Sequence, residues 1–364
     1  MLAKVPKRDA AERSRVDTAP TEVGEAVRLA RRHLDRARLT EDPRELGSAQ
    51  AALKHWWDHP SPPPEVRAMR ATLRQRDHDF TSAVEDLKAV VATDPKNGQA
   101  WLTLASVELV RGELGAAQEA CARLPELVAP LVATTCSASV AGMRGGSVEA
   151  IQRLVVELEK RSDVSPQVLG WSISWLAELL ERSGDSRGAE NAFSAARKVD
   201  PSDVYLRYAW ADHLLDFQKN EQALEALGQT SEAAAVSAIP DGALLRVAIA
   251  RVRLGHSGAE AAAAELDRRF ARLRARGERS HLREEARHLL QVRRRPSEAL
   301  TLAMENWNSQ REAADVRIAV EAAAAVGPEG REQAQPLLRW VAEQGFEDAR
   351  LKASLAALTT VGAR

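Results

Sequence analysis

The chain has 364 residues, 45% of them hydrophobic and 28% charged, with a formal net charge of −1. This balance excludes a globally basic nucleic-acid coat and a chain too polar to fold. Only two Tyr and five Phe occur, Ala, Leu and Arg are abundant, and alternating β-branched runs are missing, so the expected fold class is all-α.

Residues 1–20 are polar, end at Ala19-Pro20, and read as a flexible N-terminal segment. The first fifteen residues lack the apolar middle of a secretory signal. That fits a cytoplasmic protein, or an exported periplasmic one whose signal has been trimmed away. A helical hairpin with a Pro-rich connector is expected over 21–63. Val23, Ala26, Leu29, Ala30 and Leu34 have helical spacing, Asp42-Pro43 is a break, and a returning helix spans 45–57. The run from His59 to Pro64 then carries four prolines and cannot be helical.

The clearest hairpins follow in a part spanning 64–230. Their helices are expected at 65–76 with 80–92, 99–111 with 114–124, and 130–143 with 148–160. Two further pairs are 168–182 with 187–199 and 204–217 with 221–227. Past Gly228 the pattern weakens into a diverged C-terminal part, 231–364. Helices are expected there at 243–254, 258–276, 280–292, 296–306, 310–325, 330–343 and 347–358, with pairing set only by Gly and Pro punctuation. About nine or ten hairpin units result. No run of about 18 uninterrupted apolar residues exists that could form a membrane-spanning helix.

Apolar positions recur every 34 residues in these hairpins. Ala71 is followed by Ala105, Ala83 by Ala117, and Leu87 by Cys121; later Ala177 pairs with Ala211, Ala189 with Ala223, and Phe193 with Leu227. Such a period marks stacked helical hairpins. The residues Trp101, Leu104, Ala105, Ala117 and Cys121 resemble the tetratricopeptide repeat. So do Leu176, Ala177, Leu180, Ala189, Phe193, Ala196 and Pro201, whereas Arg207 departs from the large residue expected at its position. The whole chain is similar to bacterial tetratricopeptide proteins without an assigned activity, some of them exported. The resemblance implies a right-handed superhelical solenoid of antiparallel helix hairpins, its concave face lined by the first helix of each. Members of the family bind peptides, partner helices or protein termini in that groove. No partner carries over, because no clamp of Lys, Asn and Arg can be traced across successive repeats.

Cys121 and Cys136, the only cysteines, lie at similar depth on either side of a break at Pro125 and Pro130. Antiparallel neighbours would bring the sulfurs within bonding range, which would argue for an oxidising compartment. The other reading is two free thiols serving as small core hydrophobes.

Residues 251–295 hold thirteen Arg against six acidic residues. Arg268, Arg272 and Arg276 are four apart, as are Arg279, Arg283 and Arg287, so each trio would share a helical face. A basic stripe of this kind suits an anionic partner such as an acidic protein, nucleic acid or acidic lipid. The plainer reading is a solvated face offset by Glu284 and Glu285. Single-stranded nucleic acid fits poorly, because no aromatic stacking platforms are interleaved. His281, Glu285 and His288 hint at metal ligands, but the histidines would stand about 10.5 Å apart along a helix axis, and no metal or other cofactor is expected.

Trp56 and Trp57 form a candidate aromatic anchor, of which one is expected to pack inward. Trp101, Trp171, Trp175, Arg207 and Tyr208 are the candidates for the inner wall of the groove. No P-loop, G-x-G-x-x-G, G-x-S-x-G, H-E-x-x-H or C-x-x-C motif occurs, so an enzyme is not expected. The expectation is a non-catalytic scaffold holding a peptide or partner protein, with the basic stripe or a structural role in a larger assembly as alternatives.

Overall fold

In the computed structural model the described residues are 19–160, 163–230 and 236–360. All but two residues of the expected N-terminal segment lie outside them. Twenty α-helices and no strand occur among the described residues. The chain forms two compact units, one ending at Val107 and the other beginning at Glu108.

In the N-terminal unit, α1 (Val23–Thr40) packs on α2 (Pro43–Ala52), and α3 (Pro64–Arg76) packs on α4 (Phe80–Thr93). Leu53, Val66, Met69 and Leu73 fill the space between them. The returning helix expected over 45–57 stops at Ala52, and a 3-10 turn spans Lys54–Trp56. Trp56 and Trp57 both pack, half-buried, against this core. The division between the units falls inside α5 (Gly98–Val110).

The C-terminal unit continues through α6 (Leu114–Cys121), α7 (Pro130–Gly142), α8 (Ser147–Glu159), α9 (Pro166–Ser183) and α10 (Ser186–Val199). Next come α11 (Val204–Asp216), α12 (Asn220–Ala226), α13 (Asp241–Leu254), α14 (Ala259–Ala275) and α15 (Leu282–Gln291). The last are α16 (Pro296–Trp307), α17 (Ala313–Val326), α18 (Pro328–Gln333), α19 (Gln335–Gln344) and α20 (Lys352–Thr360). Antiparallel pairs form between α9 and α10, α11 and α12, α13 and α14, and α15 and α16. One cluster of buried side chains runs from Ala177 to Val292. The fading of the period near 230 therefore coincides with no gap in packing. The single helix expected over 330–343 is two, broken at Ala334. Pro336, which lacks an amide proton, fits only in a first turn and forces the restart.

The hairpin turns explain the period. His78, Gly112, Gly145, Gly184 and Gln218 all hold positive φ. In each case the next amide donates to the carbonyl five residues earlier, as Asp79 does to Arg74 at 2.8 Å and Asp185 to Leu180 at 2.9 Å. This is a Schellman closure. The same aspartates then cap the following helix, Asp79 accepting from the Ser82 amide and Asp185 from that of Gly188. At Gly184, with φ 95°, glycine meets the left-handed geometry without the steric penalty of a side chain. The recurring alanines 71, 83, 117, 177, 189, 211 and 223 are wholly buried, where a missing side chain lets helices cross closely.

Cys121 and Cys136 are joined by a disulfide that ties α6 to α7, with Cα atoms 5.7 Å apart. The C-terminal unit also closes on itself. The Arg311 amide donates to the Val110 carbonyl at 2.7 Å. A Cβ on Gly145 would lie 2.7 Å from the carbonyl oxygen of Gly345. Arg350 reaches back to Glu181 on α9 at 2.6 Å and to Asp216 on α11 at 3.2 Å. No helix among the described residues is long and apolar enough to cross a membrane.

Candidate functional site

Within this closed unit lies a cavity of about 460 Å³. Its wall is built mostly from first helices of the hairpins. Helix α9 supplies Trp175, Glu178, Glu181 and Arg182; α11 supplies Tyr205, Tyr208, Ala209 and Asp212. The intervals of three, four and seven residues place each set on one helical face. Arg246 comes from α13, Arg283 and Arg287 from α15, and Ala314 and Arg317 from α17. The second helix α14 adds Leu266, Arg269 and Phe270.

Local packing fixes the aromatic wall. A Cβ on Gly242 would stand 2.6 Å from the Tyr208 ring, so only glycine lets α13 approach that ring. The Arg246 guanidinium lies 4.7 Å from the same ring centroid, within cation–π range. It also donates to the carbonyls of Gly242 and Tyr208. Tyr205 remains 62% exposed, and it lines the cavity.

Charges on the wall are largely paired. Asp212 accepts from Arg246 and from Arg287, the latter at 2.7 Å. Burial pushes the Asp212 carboxyl upward, but the two guanidinium groups overcome it and hold the group below its ordinary range. Asp216 behaves likewise between Arg317 and Arg350. Arg283 donates to Glu312 at 2.8 Å. Glu178 is different. It accepts the Tyr205 hydroxyl at 2.5 Å; burial raises its carboxyl to about 7, and the Tyr205 bond and Arg182 offset only part of that rise. Desolvation and the neighbouring Glu178 push the Tyr205 hydroxyl well above its ordinary value.

This gives a pH dependence with a definite sign. A carboxyl with a raised pKa binds more protons folded than unfolded. The stability tied to Glu178 is thus complete below pH 4.5, its ordinary value, and declines as pH rises towards 7. Asp315, also raised by burial, adds to the same trend, whereas Asp212 and Asp216 titrate below this window. His288, lowered by burial, works in the opposite sense, so from pH 5 to 7.5 the thermal midpoint of the wild type should fall relative to that of Glu178→Gln. Identical slopes for the two proteins would remove this assignment.

Of the residues singled out for the groove, Trp175 and Tyr208 line the cavity. Trp171, half-buried, and Arg207, exposed, are not on its wall; the Arg207 guanidinium lies 5.4 Å from the Tyr208 ring. Trp101 donates its indole N–H to the Pro95 carbonyl at 2.9 Å in the N-terminal unit. The six stripe arginines do not share a surface. Arg268, Arg272 and Arg276 are exposed at the end of α14, whereas Arg283 and Arg287 face the cavity from α15. Arg268 pairs with Glu265, Arg276 with Glu278 and Arg279 with Glu305. His288 meets Asp267 at 2.7 Å, Glu285 meets Arg274, and His281 lines the cavity, so this trio does not converge. Tyr205, Glu178, Asp212, Arg317 and Arg350 were not singled out by sequence. The three-four-seven spacing of Tyr205, Tyr208 and Asp212 on one helix was the available signal for the α11 members.

The tetratricopeptide repeat family model matches residues 75–130. No curated protein matches the sequence. Among solved structures, the chain is similar to a Rap protein complexed with competence and sporulation factor. The two are 14% identical over 88% of this chain and 87% of that one, with a TM-score of 0.53. It is also similar to a human IFIT1 dimer with PPP-AAAA, at 12% identity over 95% and 96% of the two chains and a TM-score of 0.48. A third is a thermophilic tetratricopeptide protein of Thermus thermophilus, at 19% identity over 53% and 98%, with a TM-score of 0.43. At 14% identity the likeness to the Rap protein concerns the fold alone.

Proposed function

We propose that this tetratricopeptide-repeat protein is a non-catalytic scaffold whose C-terminal unit receives a segment of a partner peptide in the cavity bounded by α9, α11, α13, α15 and α17. The observation that carries the reading is the composition of that wall. Trp175, Tyr205 and Tyr208 offer aromatic faces, while paired arginines and carboxylates offer fixed hydrogen-bonding groups. A volume of about 460 Å³ lies in the range of ligand pockets, which combine apolar walls with a few oriented polar groups. Repeat arrays act through their inner surfaces. The Rap protein of similar fold is complexed with competence and sporulation factor, a precedent for ligand binding on this architecture.

The test is a displayed library of short peptides selected against the full chain, followed by calorimetry on the enriched sequences. Ala314→Trp, which puts a ring into the cavity from an exposed wall position, should weaken binding at least tenfold. Arg272→Glu, on the outer end of α14, should leave it unchanged. Equal affinity for Ala314→Trp and wild type would locate binding elsewhere and defeat the reading.

A further inference from the structure

The arginines lining the cavity differ in one respect that points to what enters it. Arg246 and Arg287 share Asp212, Arg269 pairs with Asp241, Arg283 with Glu312, and Arg317 and Arg350 share Asp216. Arg182 pairs with none of the described carboxylates. Its side chain is held on the cavity wall with the residue only 3% exposed. Nε and Nη2 have no hydrogen-bond partner, and Nη1 meets only the Met143 thioether sulfur, at 3.1 Å.

The geometry explains why no carboxylate hydrogen-bonds to it. Glu178 stands one turn earlier on the same helix, where a salt-bridge partner would be expected, yet its carboxyl is turned to the Tyr205 hydroxyl. The guanidinium lies instead against the end of α7. A Cβ on Gly142 would be 2.8 Å from Nη2 and 2.2 Å from Leu179 Cδ2, so a glycine is what makes that space. Burial pulls the Arg182 guanidinium below its ordinary range, and Glu178, Asp348 and Glu181, none of them hydrogen-bonded to it, offset only part of that cost. Met143, whose sulfur Arg182 Nη1 contacts, is an unbranched and adaptable side chain and also borders the cavity.

We propose that the cavity binds its ligand through one oxyanion, a carboxylate or a phosphate, that pairs with the Arg182 guanidinium once the Met143 side chain swings aside. This rests on the cavity being the binding site and names the chemical group that it recognises. The planar fork of Arg182 suits two-point contact with either oxyanion. Glu178 carries the hydrogen bond to Tyr205, and Glu181 is engaged by His213 and Arg350, so neither takes up the fork of the guanidinium.

The experiment titrates the full chain with sodium propionate and, separately, sodium phosphate at constant ionic strength made up with chloride, following tryptophan fluorescence. Saturable binding of one or both is expected in the wild type, and the tighter of the two identifies the source chemistry. Arg182→Lys should weaken it at least tenfold, and Arg182→Met should abolish it. Arg182→Met should also melt at the same or a higher temperature than wild type, which a merely structural arginine would not allow. No saturable response in the wild type, or an equal response in Arg182→Met, overturns the proposal. If Ala314→Trp blocks a selected peptide that Arg182→Met still binds at full strength, the cavity reading survives and the oxyanion inference falls. If neither variant affects that peptide, both fall.

Discussion

Replacing Asp86 with alanine is expected to destabilise the N-terminal unit by about 3–5 kcal/mol, the loss typical of a buried ion pair deprived of one partner. Arg70 and Asp86 are 4% and 5% exposed. Two guanidinium nitrogens of Arg70 donate to the carboxylate at 2.8 and 2.6 Å. The third donates to the carbonyls of Trp56, Trp57 and His59, and so fastens the start of the Pro-rich connector to α3. Arg74 adds a bond to the same carboxylate at 2.8 Å. Without Asp86, the buried Arg70 and the half-buried Arg74 lose their anion together. The double change Arg70→Met with Asp86→Leu should cost less, about 1–3 kcal/mol, because it removes the buried pair together, leaving the connector carbonyls short of donors and the half-buried Arg74 with its bond to the Ser82 carbonyl. Urea unfolding followed by tryptophan fluorescence separates the two variants. A loss below about 1 kcal/mol for Asp86→Ala would mean the network is wetter than its burial implies.

Changing both Cys121 and Cys136 to alanine is the second large effect, expected at about 3 kcal/mol for a loop of this length. The bond spans a sequence separation of 15 and joins α6 to α7 across the stretch containing Pro125 and Pro130. Both residues are buried, so alanine avoids adding an unpartnered hydroxyl. For a unit of this size the thermal midpoint should drop by roughly 6–12 °C. Reductant should produce a comparable drop in the wild type and none in the double variant. A wild type indifferent to reductant under denaturing conditions would mean that the thiols are not bonded in solution.

Much of the hairpin architecture was legible because it is local. A 34-residue spacing of alanines reports helix crossings between neighbours, and the chain restates that information in each hairpin. Turns at Gly112 and Gly184 were visible from composition; those at His78 and Gln218 followed from the period alone. The site was harder to read. Arg317 finds Asp216 across 101 positions, and Arg350 finds Glu181 across 169. Those meetings depend on how successive hairpins rotate, which no local pattern encodes. The basic stripe failed for a related reason. Its two trios were read as continuous faces, but α14 ends at Ala275 and a left-handed turn at Gly277 reorients the chain before Arg283 and Arg287. Two of the six, Arg283 and Arg287, line the cavity, whereas Arg268, Arg272 and Arg276 are exposed on α14 and its end.

The contacts of Arg311 with Val110, and of Arg350 with Glu181, bear on how freely hairpins can be exchanged within this unit. An open stack of hairpins is divisible: one can be trimmed from an end, or another appended, and the remainder survives with its neighbours intact. A ring whose last segments bond to its first loses that freedom. Cutting the chain ahead of Arg311 would strand Val110, Glu181 and Asp216 together, so residues 108–364 should melt as one indivisible block.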